Sequence, residues 1–105
     1  MPTPPTLTDE QRRAALEKAA AVRRVRGDAR TKLKAGELDL CGLLSAAEHD
    51  DALASMKVLS VLEALPRVGK VGARRLLGEL GIAESRRIQG LGAHQLEALR
   101  SHGAS

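Results

Sequence analysis

Two stretches of this 105-residue chain repeat one glycine spacing. The first reads Leu65-Pro66-Arg67-Val68-Gly69-Lys70-Val71-Gly72-Ala73-Arg74-Arg75-Leu76-Leu77. The second reads Arg87-Ile88-Gln89-Gly90-Leu91-Gly92-Ala93-His94-Gln95-Leu96-Glu97-Ala98-Leu99. Each sets an apolar residue before a tight glycine turn and follows it with a helix pattern. Glycine adopts turn dihedrals that other residues resist, and without a Cβ its N–H can approach a phosphate closely. A helix N-terminus adds unpaired N–H donors and a favourable dipole. Arg67, Lys70, Arg74 and Arg75 supply cations to the first copy, and Arg86 and Arg87 lead into the second. This chemistry holds duplex phosphates without reading base sequence. An ordinary turn between two helices also uses Gly and Pro, and that alternative stays open, above all for the second copy.

Other constellations are weaker. Gly69-Lys70 is no nucleotide-binding P-loop, because no glycine stands five residues earlier and Val71 replaces the Mg²⁺-binding hydroxyl residue. His49, His94 and His102 lack ligand spacing and a cysteine partner, so no metal is expected. Ser45, Ser55 and Ser60 have no base and orienting group that the sequence places beside them, and Asp50-Asp51 suits a helix start better than a catalytic pair. No catalytic residue, enzymatic activity, cofactor or small-molecule substrate is expected.

The elements that position the glycine turns are helices. Leu and Ala contribute 17 residues each, whereas six Val and two Ile leave little β-branched material for a sheet. Residues 1–7 hold three of the four prolines and predict a flexible arm. Thr8, followed by Asp9, Glu10 and Gln11, predicts a capping box and a helix start. That helix runs to about Ala35, with a weak spot at Gly27 and a stop at Gly36. Ala15, Ala19, Val22, Val25, Ala29 and Leu33 mark a narrow small-residue face, beside a ridge of Arg23, Arg26, Arg30 and Lys34. Shorter helices follow: one capped by Asp39, a turn from Asp50-Asp51 to about Met56, Val58 to Leu65 stopped by Pro66, about Lys70 to Leu80 stopped by Gly81, and His94 to Arg100. The fold class is all-α. The chain divides into the arm at 1–7, a long basic helix at 8–35 and a compact region at 36–105.

Composition limits what this architecture can do. The chain contains no Phe, Tyr or Trp, which excludes stacking platforms for bases and aromatic cages. Seventeen Lys and Arg against 13 Asp and Glu give a net charge of +4, but the sign is segregated. Residues 12–34 and 57–105 are basic, and residues 35–56 carry acids and no Lys or Arg. Two basic blocks around an acidic middle favour polyanion-facing surfaces. Lys57, between two short helices, is a further candidate phosphate contact. Cys41 is alone among leucines, as expected of a small buried thiol. No apolar run approaches the roughly 20 residues needed to span a bilayer, and no signal peptide is evident, so a cytoplasmic setting and no membrane partner are expected.

The stretch from Met56-Lys57-Val58 through Leu62-Glu63-Ala64-Leu65-Pro66-Arg67-Val68-Gly69-Lys70, and that from Leu80-Gly81-Ile82 to Gly90-Leu91-Gly92, closely resemble the actinobacterial integration host factors. So does Leu7-Thr8-Asp9-Glu10-Gln11-Arg12 with the Ala14 to Ala19 segment after it. The resemblance covers nearly the whole chain. It implies a nucleoid-associated protein with a long N-terminal helix joined to a compact helix-two-turns-helix domain. Such a protein binds double-stranded DNA with little sequence preference and affects DNA bending, compaction and supercoiling.

Carried onto matching positions, the resemblance makes Pro66, Arg67, Val68, Gly69, Lys70, Val71 and Gly72 the expected contacts. Arg74, Arg75, Arg86, Arg87, Gly90 and Gly92 join them. Arg23, Arg26, Arg30, Lys34 and Lys57 are secondary candidates. Leu59 departs from the family pattern, standing where a small polar residue would start a helix. The expected molecule is a monomer in solution, located in the nucleoid and able to contact two DNA segments. The competing readings are an RNA-binding ribosomal-type helix-two-turns-helix protein and a helical protein-interaction module.

Overall fold

A computed structural model describes residues 8–104, so the expected arm at 1–7 lies outside the described residues. The elements are α1 (Asp9–Ala35), α2 (Leu40–Ala47), α3 (Asp51–Ala54), α4 (Val58–Ala64), α5 (Gly69–Leu80), a single 3₁₀ turn (Ile88–Gly90) and α6 (Ala93–Ala104). No strand occurs among the described residues; one isolated antiparallel bridge pairs Lys57 with Arg87.

The predicted capping box starts α1. Thr8 Oγ1 accepts from the Gln11 N–H at 3.1 Å, and Gln11 Oε1 accepts from the Thr8 N–H at 3.0 Å. The helix then runs its full 27 residues, about 40 Å, straight through Gly27. The good helix formers around Gly27 outweigh the roughly 1 kcal/mol that one interior glycine costs, so the expected weak spot does not divide the helix. Gly36, in the left-handed region at φ 78°, ends it.

Only the C-terminal part of α1 is anchored. Ala29 and Leu33 are buried and Val25 packs against the core, whereas residues 9–18 are exposed throughout. The unsupported half accounts for the elongated extents of 55 × 31 × 25 Å. The core itself lies below it, where Leu33, Leu43, Leu62, Leu77 and Leu99 bring five helices together with almost no solvent exposure.

The boundaries of the short helices follow local chemistry. Asp39 caps α2 by accepting from Gly42 N–H at 2.6 Å, and Asp50 caps α3 by accepting from Ala52 N–H at 2.9 Å. Leu65 is extended (φ −71°, ψ 127°), as a residue preceding proline prefers, so α4 closes at Ala64. Helix α4 has no side-chain cap at its start, which is where Leu59 breaks the family pattern. Its first N–H, from Val58, instead donates to the Arg86 carbonyl at 3.0 Å, so a neighbouring segment does the capping.

Three details differ from the sequence expectation. α6 begins one residue earlier than predicted and runs beyond Arg100, and the 3₁₀ turn was not anticipated. Cys41 is half-buried rather than enclosed, with its thiol donating to the Arg100 carbonyl at 3.4 Å. The Arg100–Glu48 ion pair at 2.7 Å adds a second tie between α6 and the end of α2.

Candidate nucleic-acid interface

The first glycine turn is built to leave donors open. Pro66 and Arg67 are exposed, and the Val68 and Gly69 N–H groups both donate back to the Leu65 carbonyl, at 3.1 and 3.3 Å. Gly69 sits at φ 67°, a left-handed conformation that a side chain would resist, and this lets α5 begin at once. No side chain caps α5, and the N–H groups of Lys70 and Val71 have no acceptor among the described residues. Val71 is 73% exposed, the highest value among the large hydrophobic residues described, and Gly72 beside it is half-buried.

The second glycine turn is closed by its own side chains. The Gly92 N–H donates to Gln95 Oε1 at 3.1 Å, and Gln95 Nε2 donates to the Gly81 carbonyl at 3.1 Å. Arg86 Nη1 donates to the Gly90 carbonyl at 3.0 Å, folding that arginine over its own turn. The N–H groups of Ala93 and His94, at the start of α6, have no acceptor among the described residues, so both copies offer open backbone donors at a helix start. Gln95, three residues past Gly92, is the sequence signal for closure of the Gly92 N–H alone.

A shallow groove runs between the C-terminal half of α1 and α4. One end, about 430 Å³, is lined by Arg30 and Lys34 from α1, Ser60 and Glu63 from α4, and Lys70 from the start of α5. The adjoining end, about 290 Å³, is lined by Arg26, Arg30, Lys57, Ser60 and Arg87. Six cations thus face one carboxylate, and Arg30 and Ser60 belong to both ends.

The bridge forces two of these cations together. Val58 N–H donates to the Arg86 carbonyl and Ile88 N–H to the Met56 carbonyl, both at 3.0 Å, placing Lys57 opposite Arg87. Directly opposed like charges are destabilising, and an anion between them relieves the cost. The sequence sets Arg30, Lys34 and Lys57 apart from the glycine-turn cations Lys70 and Arg87; the fold puts all five on one groove.

The remaining candidates go elsewhere. Arg67 and Arg75 line a separate depression with Gly72, Glu79 and His102. Along α5, Arg75 lies about 140° around the axis from Lys70. Arg74 is paired with Glu84 at 3.1 Å, both well exposed. Arg23 is exposed on α1, one turn before the groove.

Arg26 is half-buried and largely committed to the fold: its Nε donates to the Ala52 carbonyl at 3.2 Å, and its Nη2 reaches both the hydroxyl and the carbonyl of Ser55. Arg87 Nη1 also donates to the Ser55 carbonyl, at 2.5 Å. These bonds satisfy the carbonyl end of α3, a structural duty that helical spacing alone could not separate from a place on the basic ridge. Among the described residues no cluster of His, Cys, Asp and Glu is arranged to hold a metal, and no helix is long and apolar enough to cross a membrane.

Comparison with known proteins places this geometry in context. Residues 33–102 match the S13-like H2TH domain. An integration host factor from Mycobacterium tuberculosis is 55% identical over 95 residues, covering 90% of each chain. One from Streptomyces coelicolor is 47% identical, covering 90% of this chain and 89% of that relative. A solved structure described as sIHF bound to an 8-bp palindromic DNA superposes with a TM-score of 0.77. It is 41% identical, and the match covers 83% of this chain and 98% of that one.

Proposed function

This chain belongs to the integration host factor family, and we propose that it is a non-enzymatic architectural protein of the nucleoid that binds duplex DNA through its phosphates. The cationic groove between α1 and α4 carries this reading: five accessible bases and an uncapped helix start meet on one surface. The contacts are charge and backbone N–H, which fix position on the duplex and carry no base information. The long basic helix at 8–35 extends the track beyond the compact DNA-binding region at 36–105, and its C-terminal half supplies one wall of the groove through Arg30 and Lys34. With no aromatic residue to insert, bending comes from asymmetric phosphate contact and from apolar side chains such as Pro66 at the turn.

The Arg67–Arg75 depression supplies a second basic surface, and as a monomer the chain contacts two DNA segments, one on each surface. Arg74 is already held by Glu84, so Arg67 and Arg75 are the informative pair there. The Arg67→Glu, Arg75→Glu chain is expected to bind several duplexes of unrelated sequence about tenfold more weakly, by the same factor for each. Fluorescence anisotropy at one fixed salt concentration measures this. A loss confined to one sequence would mean that these arginines read bases, and the phosphate account would fail.

A further inference from the structure

Ser60 is the one neutral side chain with a free hydroxyl in the groove. It lies in the first turn of α4, half-buried, and lines both ends of the depression. A serine inside a helix ordinarily satisfies its hydroxyl on the carbonyl four residues back. Here that carbonyl, on Met56, lies before the start of α4 and accepts the Ile88 N–H at 3.0 Å, and the Ser60 hydroxyl makes no bond to it. The Ser60 hydroxyl makes no hydrogen bond among the described residues, while Arg30, Lys57, Lys70 and Arg87 stand around the same space. A donor without an acceptor, ringed by cations, is the donor set of a phosphate oxyanion.

We infer that the α1–α4 groove is a defined phosphate seat in which Ser60 donates its hydroxyl to a phosphodiester of the bound duplex strand. The phosphate lies between Lys57 and Arg87, relieving the opposition that the bridge imposes, and Arg30 closes it from α1. Lys34 and Lys70 receive the neighbouring phosphate at the wider end. Glu63, the one carboxylate in the groove, sits at that wider end, away from Lys57 and Arg87. The seat rests on the DNA-binding reading above and adds to it a contact residue that carries no charge.

That neutrality gives the test its discriminating readout. Affinity for a labelled duplex is measured across a salt series for the unmodified chain, Ser60→Ala and Ser60→Asp. Ser60→Ala is expected to bind about three- to tenfold more weakly, the loss of one hydrogen bond to a charged acceptor. The slope of log K against log salt stays unchanged, because a hydroxyl releases no counterion. Ser60→Asp places a carboxylate in the seat and is expected to bind more than tenfold more weakly, with a slope shallower by about one. Alanine suits a helix interior, so the melting temperature of Ser60→Ala should stay within a few degrees of the parent and exclude misfolding as the cause.

If both variants bind like the parent, the seat is wrong and the duplex rests elsewhere, with DNA binding itself intact. A shallower slope for Ser60→Ala would also overturn it, since a neutral contact cannot change counterion release. Failure of the parent chain to bind duplex DNA would instead remove the functional reading beneath it.

Discussion

Reversing both members of the opposed pair, Lys57→Glu with Arg87→Glu, is expected to weaken duplex binding about a hundredfold or more. Each charge-assisted contact contributes roughly 1.5 kcal/mol at the lower end for exposed groups, and about 1.4 kcal/mol is a factor of ten. Two lost contacts give about a hundredfold, and the introduced carboxylates repel the backbone further. The salt dependence should become shallower by about two. Folding should weaken by about 1 kcal/mol, because Arg87→Glu removes the bond to the Ser55 carbonyl while one like-charge pair replaces another across the bridge.

The single Lys57→Glu change separates binding from stability. It places a carboxylate opposite Arg87 and should stabilise the fold by about 0.2–1 kcal/mol while still weakening DNA binding. Titration of a labelled duplex alongside thermal unfolding reads both quantities. Undiminished affinity in the double variant would remove the groove from the account.

The second large effect concerns what holds the groove walls in place. Leu62 is fully buried on α4, the helix that packs against both α1 and α5 and so joins the two cationic walls. Leu62→Ala removes three carbon atoms and leaves a cavity, which costs about 2–5 kcal/mol in well-packed cores. A domain of this size has only about 5–15 kcal/mol of net stability to lose. At about 4–8 °C per kcal/mol, the melting temperature should fall by roughly 10 °C or more. Calorimetry or circular dichroism measures the drop. A fall of only a degree or two would mean that α4 is not the keystone of the core.

Much of the fold was legible locally. Thr8 with Gln11, Asp39 and Asp50 announce helix starts through side-chain oxygens, and Gly36, Pro66 and Gly81 announce stops through backbone geometry. Each signal acts within four residues, so the sequence carries it without tertiary help. The 3₁₀ turn at Ile88–Gly90 is too short to show periodicity, and it is held by the bridge to the Met56–Val58 segment, a contact across about 30 residues.

The site was only half legible, for the same physical reason. The open donors at Lys70 and Val71 follow from a local glycine turn, and the sequence points to them. The groove does not, because it exists only where α1 is laid along α4. Sequence spacing put Arg26 with Arg23, Arg30 and Lys34 on one ridge, yet the end of α3 draws Arg26 onto Ser55 and leaves the others to solvent. The Gly92 N–H looks available from the sequence until Gln95 is seen to accept it. Ser60 gives no sequence signal at all: it becomes interesting only once the fold sets it among Arg30, Lys57, Lys70 and Arg87.

The central claim is that duplex DNA is held by phosphates, and salt dependence tests it most directly. Equilibrium affinity for one duplex, measured from about 50 to 200 mM monovalent salt, reports the number of counterions released. Contact with about four to six phosphates predicts a log–log slope of roughly −4 to −5, the same for unrelated sequences. A slope near zero, or one that differs between duplexes of equal length, would contradict it.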